Sequence, residues 1–292
     1  MIIVQGGPRK MKINCEYRIK DDIGFFLEAE GITKLELSEA TGISRMTIDL
    51  IDKRGMASDE VCEKFYSYLY KNNYRLNAVK EELIKEGPQC VAFHGSKNGL
   101  SELTVSGSRE NCDFGCGLYL GQTYHQALSF VCEYPNSSVY SFGYSFEGLK
   151  IAEFDCSLDW MLAICYFRGT IKQYVESKKV QAIVKRIEEA DVVIAPIADN
   201  KMFYIMSQFA EGEINADAAL HSLSASSLGF QYVIKSEKAL ERIIPIERYY
   251  LSLPEREDCR KELIERGYEI DTKLKLAKRE FKDGLYIEEL LK

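Results

Sequence analysis

Three stretches of this chain hold residue types able to do chemistry together: His94-Gly95-Ser96-Lys97, Asp113-Phe114-Gly115-Cys116-Gly117-Leu118-Tyr119-Leu120 and, far downstream, Gln231-Tyr232-Val233-Ile234. His94 brings an imidazole to the end of an apolar run. Gly95 lets a flat group approach the main chain without meeting a Cβ. Tyr119 offers a ring face that attracts a cation. Gln231 can accept a hydrogen bond, but it carries no charge and cannot act as a base. Asp113 and Asp199 are the carboxylates nearest these stretches, and either could activate an acceptor. Asp199 suits equally well the capping of a helix that begins near Met202. Arg168 and Arg186 have the forked geometry that grips phosphate, although solvated helix faces account for them too. Gly115 and Gly117 allow a tight loop, with no third glycine and helix at the offset of a dinucleotide fingerprint. Each residue alone has an ordinary structural explanation, a core histidine or an edge-strand glutamine. Their occurrence together carries the reading.

The elements that must position them are strands interrupted by helices. Cys90-Val91-Ala92-Phe93-His94, Val139 to Tyr144, Lys150 to Phe154, Asp191 to Pro196 and Gln231 to Lys235 read as strands, the last of these being the final clear one. Residues 157–190 and 200–223 read as helices, and Trp160 as core. A sheet broken by long helical insertions is an α+β pattern, not an alternating βαβ one. Residues 251–292 read as a charged helical tail, with Leu285, Ile287, Leu290 and Leu291 as a small apolar face.

Residues 1–88 form a helical unit that ends at Gly87-Pro88. Ile23, Phe26 and Leu27 share one helical stripe. In the run Leu35 to Ile51, Gly42 supplies a turn conformation that other residues avoid. Ser44 is an N-cap, Ala40 is small enough for two helices to cross, and Leu37, Ile43, Ile48 and Ile51 share a core. Residues 60–86 continue as helix, burying Val61, Phe65, Tyr68, Leu69, Leu76, Val79 and Leu83. The Leu37-to-Ser44 region, with Leu37-Ser38 and Thr41-Gly42-Ile43-Ser44, resembles a helix-turn-helix of the phage-repressor type over about 35 residues. That resemblance implies DNA as a partner. Arg45, Lys53 and Arg54 favour phosphate, as does an arm of Arg9, Lys10 and Lys12, while Asp49 and Asp52 oppose it. With 14 Lys and Arg against 15 Asp and Glu, the unit is less basic than DNA-binding domains usually are. Docking or dimerisation is the other expectation.

Residues 89–250 are similar to an uncharacterised bacterial family within the ADP-ribosyltransferase superfamily, and resemble the catalytic domain of poly-ADP-ribose polymerases. The carriers are His94-Gly95-Ser96-Lys97, the Gly115-x-Gly117-x-Tyr119 run, Trp160 to Arg168 and Ala195-Pro196-Ile197-Ala198-Asp199. The resemblance implies an ADP-ribosyltransferase-like split β-sheet behind the helix-turn-helix unit. It implies NAD as the substrate that supplies ADP-ribose, with His94 on a ribose hydroxyl. Gly95, Ser96 and Gly117 would lie against the cofactor, Tyr119 would stack on nicotinamide, and Gln231 would orient the other ribose. Gln231 stands where the best-known members have Glu, which argues against chain elongation and for a single transfer. Ala127 and Phe130 replace a Ser and a Tyr; Phe130 can still stack, and Ser129 is a substitute for the lost hydroxyl. The implied activity is mono-ADP-ribosylation of an unidentified acceptor by a bacterial toxin, defence or signalling effector. The alternative is a DNA-binding regulator with a non-catalytic NAD- or ADP-ribose-sensing domain. RNA 2′-phosphate transfer, also found in that superfamily, expects a basic cluster that is not visible.

Bulk properties set the outer bounds. A chain of 292 residues suggests about two domains. A net charge of −7 argues against coating nucleic acid by charge alone. No apolar run reaches about eighteen residues, so no membrane span is expected. Residues 1–8 lack the apolar stretch of a secretory leader. Nine scattered cysteines at irregular spacing fit reduced thiols in the cytoplasm. Cys112 and Cys116 have no second ligand pair at zinc-site spacing, so no metal is expected.

Overall fold

The computed structural model describes residues 10–224 and 228–292. Residues 1–8 and Arg9 of the expected basic arm lie outside them.

Five helices come first: α1 (Ile19–Glu30), α2 (Lys34–Thr41), α3 (Arg45–Arg54), α4 (Asp59–Lys71) and α5 (Leu76–Lys85). Local chemistry sets their ends. Gly31 and Gly42 stop α1 and α2 at φ of 65° and 69°, values that favour glycine. Thr33 and Glu36 form a reciprocal capping box at the start of α2. The Ser44 hydroxyl accepts from the Thr47 N–H at 3.1 Å and starts α3. Leu37, Ile43, Ile48 and Ile51 are buried in one cluster with Ile19, Ile23, Phe26, Phe65 and Leu69. Two expectations are corrected. Ala40 is exposed and separates no helices. The 60–86 helix breaks after Lys71, where Asn73 turns left-handed at φ 62°, a conformation asparagine tolerates. The break re-phases α5, so Leu83 is exposed while Ile84 packs against the sheet layer.

Nine strands are present among the described residues: β1 (Met11–Lys12), β2 (Cys90–Ser96), β3 (Glu102–Leu103), β4 (Leu118–Gly121), β5 (Ser138–Tyr144), β6 (Ile151–Glu153), β7 (Val192–Pro196), β8 (Phe230–Ile234) and β9 (Ile243–Tyr250). The pair β1–β3 stands apart, with Lys10 held by Glu102 at 2.6 Å. The other seven form one mixed sheet in the order β6-β7-β8-β4-β2-β5-β9, antiparallel except for β6–β7. The molecule is therefore α+β, with thirteen α-helices among the described residues.

Strand alternation sorts the sheet into two apolar faces. Ala92, Leu118, Leu120, Tyr140, Phe142, Val192 and Ile234 share one face. The other face is divided. Val91, Phe93, Val139 and Tyr249 pack with α6 (Tyr124–Ser129). Val193, Ala195 and Val233 pack with α7 (Leu158–Phe167), α8 (Lys178–Glu188), α9 (Asn200–Ala210) and α10 (Ala216–Ser224), around the fully buried Trp160. After β8 come α11 (Glu237–Leu240), β9, α12 (Leu253–Glu280) and α13 (Ile287–Leu291).

Two C-terminal expectations need correction. Gln231–Lys235 is not the last strand, because β9 closes the edge beside β5. Pro245, tolerated at an edge, and the register shift at Ser141/Phe142 interrupt its alternation. Residues 251–292 are helical as expected, over Leu253–Glu280 and Ile287–Leu291. The 28-residue α12 buries Arg256, Cys259, Gly267, Ile270, Leu274 and Ala277 along one side. Ile287 and Leu291 are buried as expected, but Leu285 is exposed.

The N-terminal helices join the sheet through charged and aromatic groups. Lys80 lies between Asp22, at 2.9 Å, and Glu247. Tyr66 donates to Asp22 at 2.5 Å and stacks on Tyr250. Among the described residues, no helix is long and apolar enough to cross a membrane.

Candidate active site

The strands that carry the three stretches lie side by side as β8, β4 and β2. Tyr119 pairs with Val233 and Gly121 with Gln231, so Tyr119 and Gln231 project on the same face. The ladder between β2 and β4 is confined to Phe93 and Gly121. Beyond that pair the connection passes to a side chain: His94 Nδ1 lies 2.8 Å from the Tyr119 carbonyl oxygen. By alternation His94 leaves β2 on the Ala92 side, whereas Tyr119 leaves β4 on the Val233 side. The imidazole therefore meets Tyr119 at its main chain. The Tyr119 hydroxyl is also engaged, donating to Gly115 O at 2.7 Å and accepting from Phe114 N at 3.0 Å. Burial pushes its pKa far up, so the phenol ties the 113–117 loop to the strand that follows it.

A buried polar chain lies on the face of Tyr119 and Gln231. Asp113 Oδ1 receives Arg168 Nε at 2.7 Å and Nη2 at 2.5 Å. Asp113 Oδ2 receives Gln231 Nε2 at 3.2 Å. The same Nε2 donates to Pro196 O at 3.2 Å, which also accepts the Trp160 indole N–H at 3.1 Å. Burial raises the Asp113 pKa, while Arg168 and Gln231 pull it back down. Arg168 caps the end of α7 and lies over the Phe203 ring at 4.2 Å. Its guanidinium is largely buried against Asp113, a correction to the solvated-face expectation for it. Arg186 remains on its helix face, donating to Glu153 O over the Phe154 ring.

The model of a family described as protein of unknown function (DUF3990) matches residues 90–244, more than half of the chain. The chain belongs to the DUF3990 family. No curated protein and no solved structure matches it. The DUF3990 span begins with β2 and ends inside β9, so it contains the whole polar chain around Asp113.

Within the DUF3990 span, the remaining expected residues fall into distinct surroundings. Gly95 is needed, but for packing: a Cβ there would collide with the Ala127 carbonyl oxygen and come within 2.9 Å of a Val131 methyl. The space on the Cβ side of Gly95 is taken by Ala127 of α6 and by Val131 just after it. The Ser96 hydroxyl donates to Gly99 O at 2.5 Å. A Cβ on Gly117 would stand 2.6 Å from Val233 and 3.0 Å from Ile234 O, so that glycine lets the loop close on β8. Gly115 turns at φ 73°. Phe130 ends α6 and is 53% exposed, and Ser129 donates to Gln126 O. Asp199 accepts from Met202 N at 2.8 Å as the cap of α9 and pairs with Arg266 at 3.1 Å.

Sequence reading did not single out Lys235. Its ammonium donates to Phe114 O at 2.6 Å and Cys116 O at 2.7 Å, pinning the motif loop from β8, and burial lowers its pKa. The signal was a lysine directly after an apolar strand, too common to stand out.

Proposed function

We propose that the chain is a mono-ADP-ribosyltransferase that uses NAD, as its resemblance to the ADP-ribosyltransferase superfamily implies. The observation that supports this is the adjacency of β8, β4 and β2. It brings the three distant stretches that carry His94, Tyr119 and Gln231 onto neighbouring strands. The Tyr119 hydroxyl is spent on its own loop, so the residue offers a ligand only its ring face, the part suited to a cationic pyridinium. The Gln231 carbonyl oxygen would accept from the nicotinamide-ribose hydroxyl. The bond from ribose C1′ to the nicotinamide nitrogen breaks, its electron pair leaving with nicotinamide. The acceptor's nucleophile bonds to C1′ and loses its proton to solvent or to a neighbouring base. Gln231 takes no proton.

The N-terminal helices would then serve as a docking module in a cytoplasmic effector. The alternative, a DNA-binding regulator of repressor type, needs free basic residues around α3. Lys34 is instead held by Asp49 at 3.2 Å and Asp52 at 2.6 Å, and Arg45 leans on Asp49. The deciding experiment incubates the full chain with NAD labelled in its ADP-ribose part. Nicotinamide release and label transfer are expected, and both should fall sharply in His94→Ala and Tyr119→Ala. NAD binding with no turnover in any acceptor mixture would leave the sensor.

A further inference from the structure

Both groups that receive the Gln231 amide are acceptors, the Asp113 carboxylate and the Pro196 carbonyl, each at 3.2 Å. Neither has a hydrogen to give, so the amide cannot be turned over. Its NH2 faces inward and its Oε1 faces away, with no hydrogen-bond partner among the described residues. Asp113 is fixed in turn, because both contacts from Arg168 go to Oδ1 and leave Oδ2 for Gln231.

We infer that Asp113 is the positioning residue of this site: it aims the Gln231 carbonyl oxygen at a ligand hydroxyl and carries the negative charge that a glutamate at 231 would have brought. This deepens the proposed function and rests on it. The ligand class is a ribose whose hydroxyl donates next to a developing positive charge. The amide at 231 and the acid at 113 are then a matched pair. A glutamate at 231 would set a second carboxylate about 3 Å from the first, and like charges that close cannot both be ionised in a buried site. The other charges facing the pair are Arg168, from the end of α7, and Asp199, which its pairing with Arg266 offsets. Exchanging the two residues, acid for amide, keeps one charge and one donor.

The test uses four full-length proteins: wild type, Asp113→Asn, Gln231→Glu and the double exchange. Melting is followed at pH 5.5 and pH 8, NAD binding by calorimetry, and nicotinamide release at low and saturating NAD. Gln231→Glu should melt near wild type at pH 5.5 and about 5 °C or more lower at pH 8. The double exchange should not show that drop. Asp113→Asn should weaken NAD binding at least about tenfold, the worth of one directed hydrogen bond, and the double exchange should recover most of it. Single effects that simply add, or a Gln231→Glu melting deficit equal at both pH values, overturn the pairing. If Asp113→Asn does not fold because Arg168 loses its partner, the pH response of Gln231→Glu alone decides. If the melting cycle behaves as expected but wild type neither binds NAD nor releases nicotinamide, the pairing stands and the NAD reading falls.

Discussion

The Nδ1 atom of His94 lies 2.8 Å from the carbonyl oxygen of Tyr119, and a carbonyl can only accept. Nδ1 therefore carries the proton, and in the neutral ring Nε2 is a free acceptor. A ribose hydroxyl would have to donate to it. Burial pushes the His94 pKa below its ordinary value of 6.5, with the bond to Tyr119 opposing in part.

The sign of the resulting pH effect follows from linkage. Below about pH 6.5 the unfolded chain takes up a proton that the folded chain resists, so stability is lost as the pH falls. His94→Asn keeps an N–H donor close to the Nδ1 position and has nothing to titrate. It should hold most of the stability at pH 7.5 and lose this acid-side decline. His94→Ala should cost about 1 kcal/mol at pH 7.5, the net worth of one hydrogen bond. Urea titrations at pH 7.5 and 5.5 read both; an identical acid-side loss in wild type and His94→Asn counts against the assignment.

Gly95→Ala separates a packing role from a ligand role. The added methyl would meet the Ala127 main-chain carbonyl and Val131, and a backbone atom in a helix yields only if α6 moves. Overpacking of this kind costs about 1–3 kcal/mol. The loss should appear in ligand-free protein and should shrink when Val131→Ala is added only to the extent that the side chain, not the carbonyl, is the obstacle. Unchanged stability of Gly95→Ala would mean that α6 is free to move off β2.

What could be read from sequence was local. Gly42, Ser44 and the Leu37–Ile51 pattern report on their own turns of helix, and the structure follows them. The runs ending at His94, Pro196 and Gln231-to-Ile234 are strands, because short apolar runs flanked by glycine, proline or charge have few other uses. What failed was long-range. Gln231 finds Asp113 across 118 positions, and nothing in either neighbourhood names the other. Arg168 looked like a solvated helix residue because its partner lies on a distant loop. The buried side of α12 includes Arg256 and Glu255, so its pattern was hidden among charges. Gly95 was legible as indispensable, but what fills the space beside it was not.

Glu255 supplies a pH response opposite to that of His94. It sits in the first turn of α12, buried, where it accepts from the Tyr124 hydroxyl at 2.9 Å and from Asn77 Nδ2 at 3.1 Å, joining α12, α6 and α5. Burial pushes its pKa from 4.5 up to about 7, and the bonds from Tyr124 and Asn77 offset only part of that. As the pH rises from 4.5 the unfolded chain gives up this proton while the folded chain keeps it, so stability declines until about pH 7 and then levels off. A shift of that size corresponds to about 3 kcal/mol. Glu255→Gln removes the titrating carboxylate and keeps an oxygen that can accept from the Tyr124 hydroxyl. That variant should match wild type near pH 5 and exceed it at pH 8. Made in the His94→Asn background, the comparison isolates Glu255 from the opposing histidine slope, and urea titrations at pH 5, 6, 7 and 8 supply the curve. Parallel curves with and without the carboxylate would mean that Glu255 is ionised in the folded chain, with Asn77 and Tyr124 enough to hold it so.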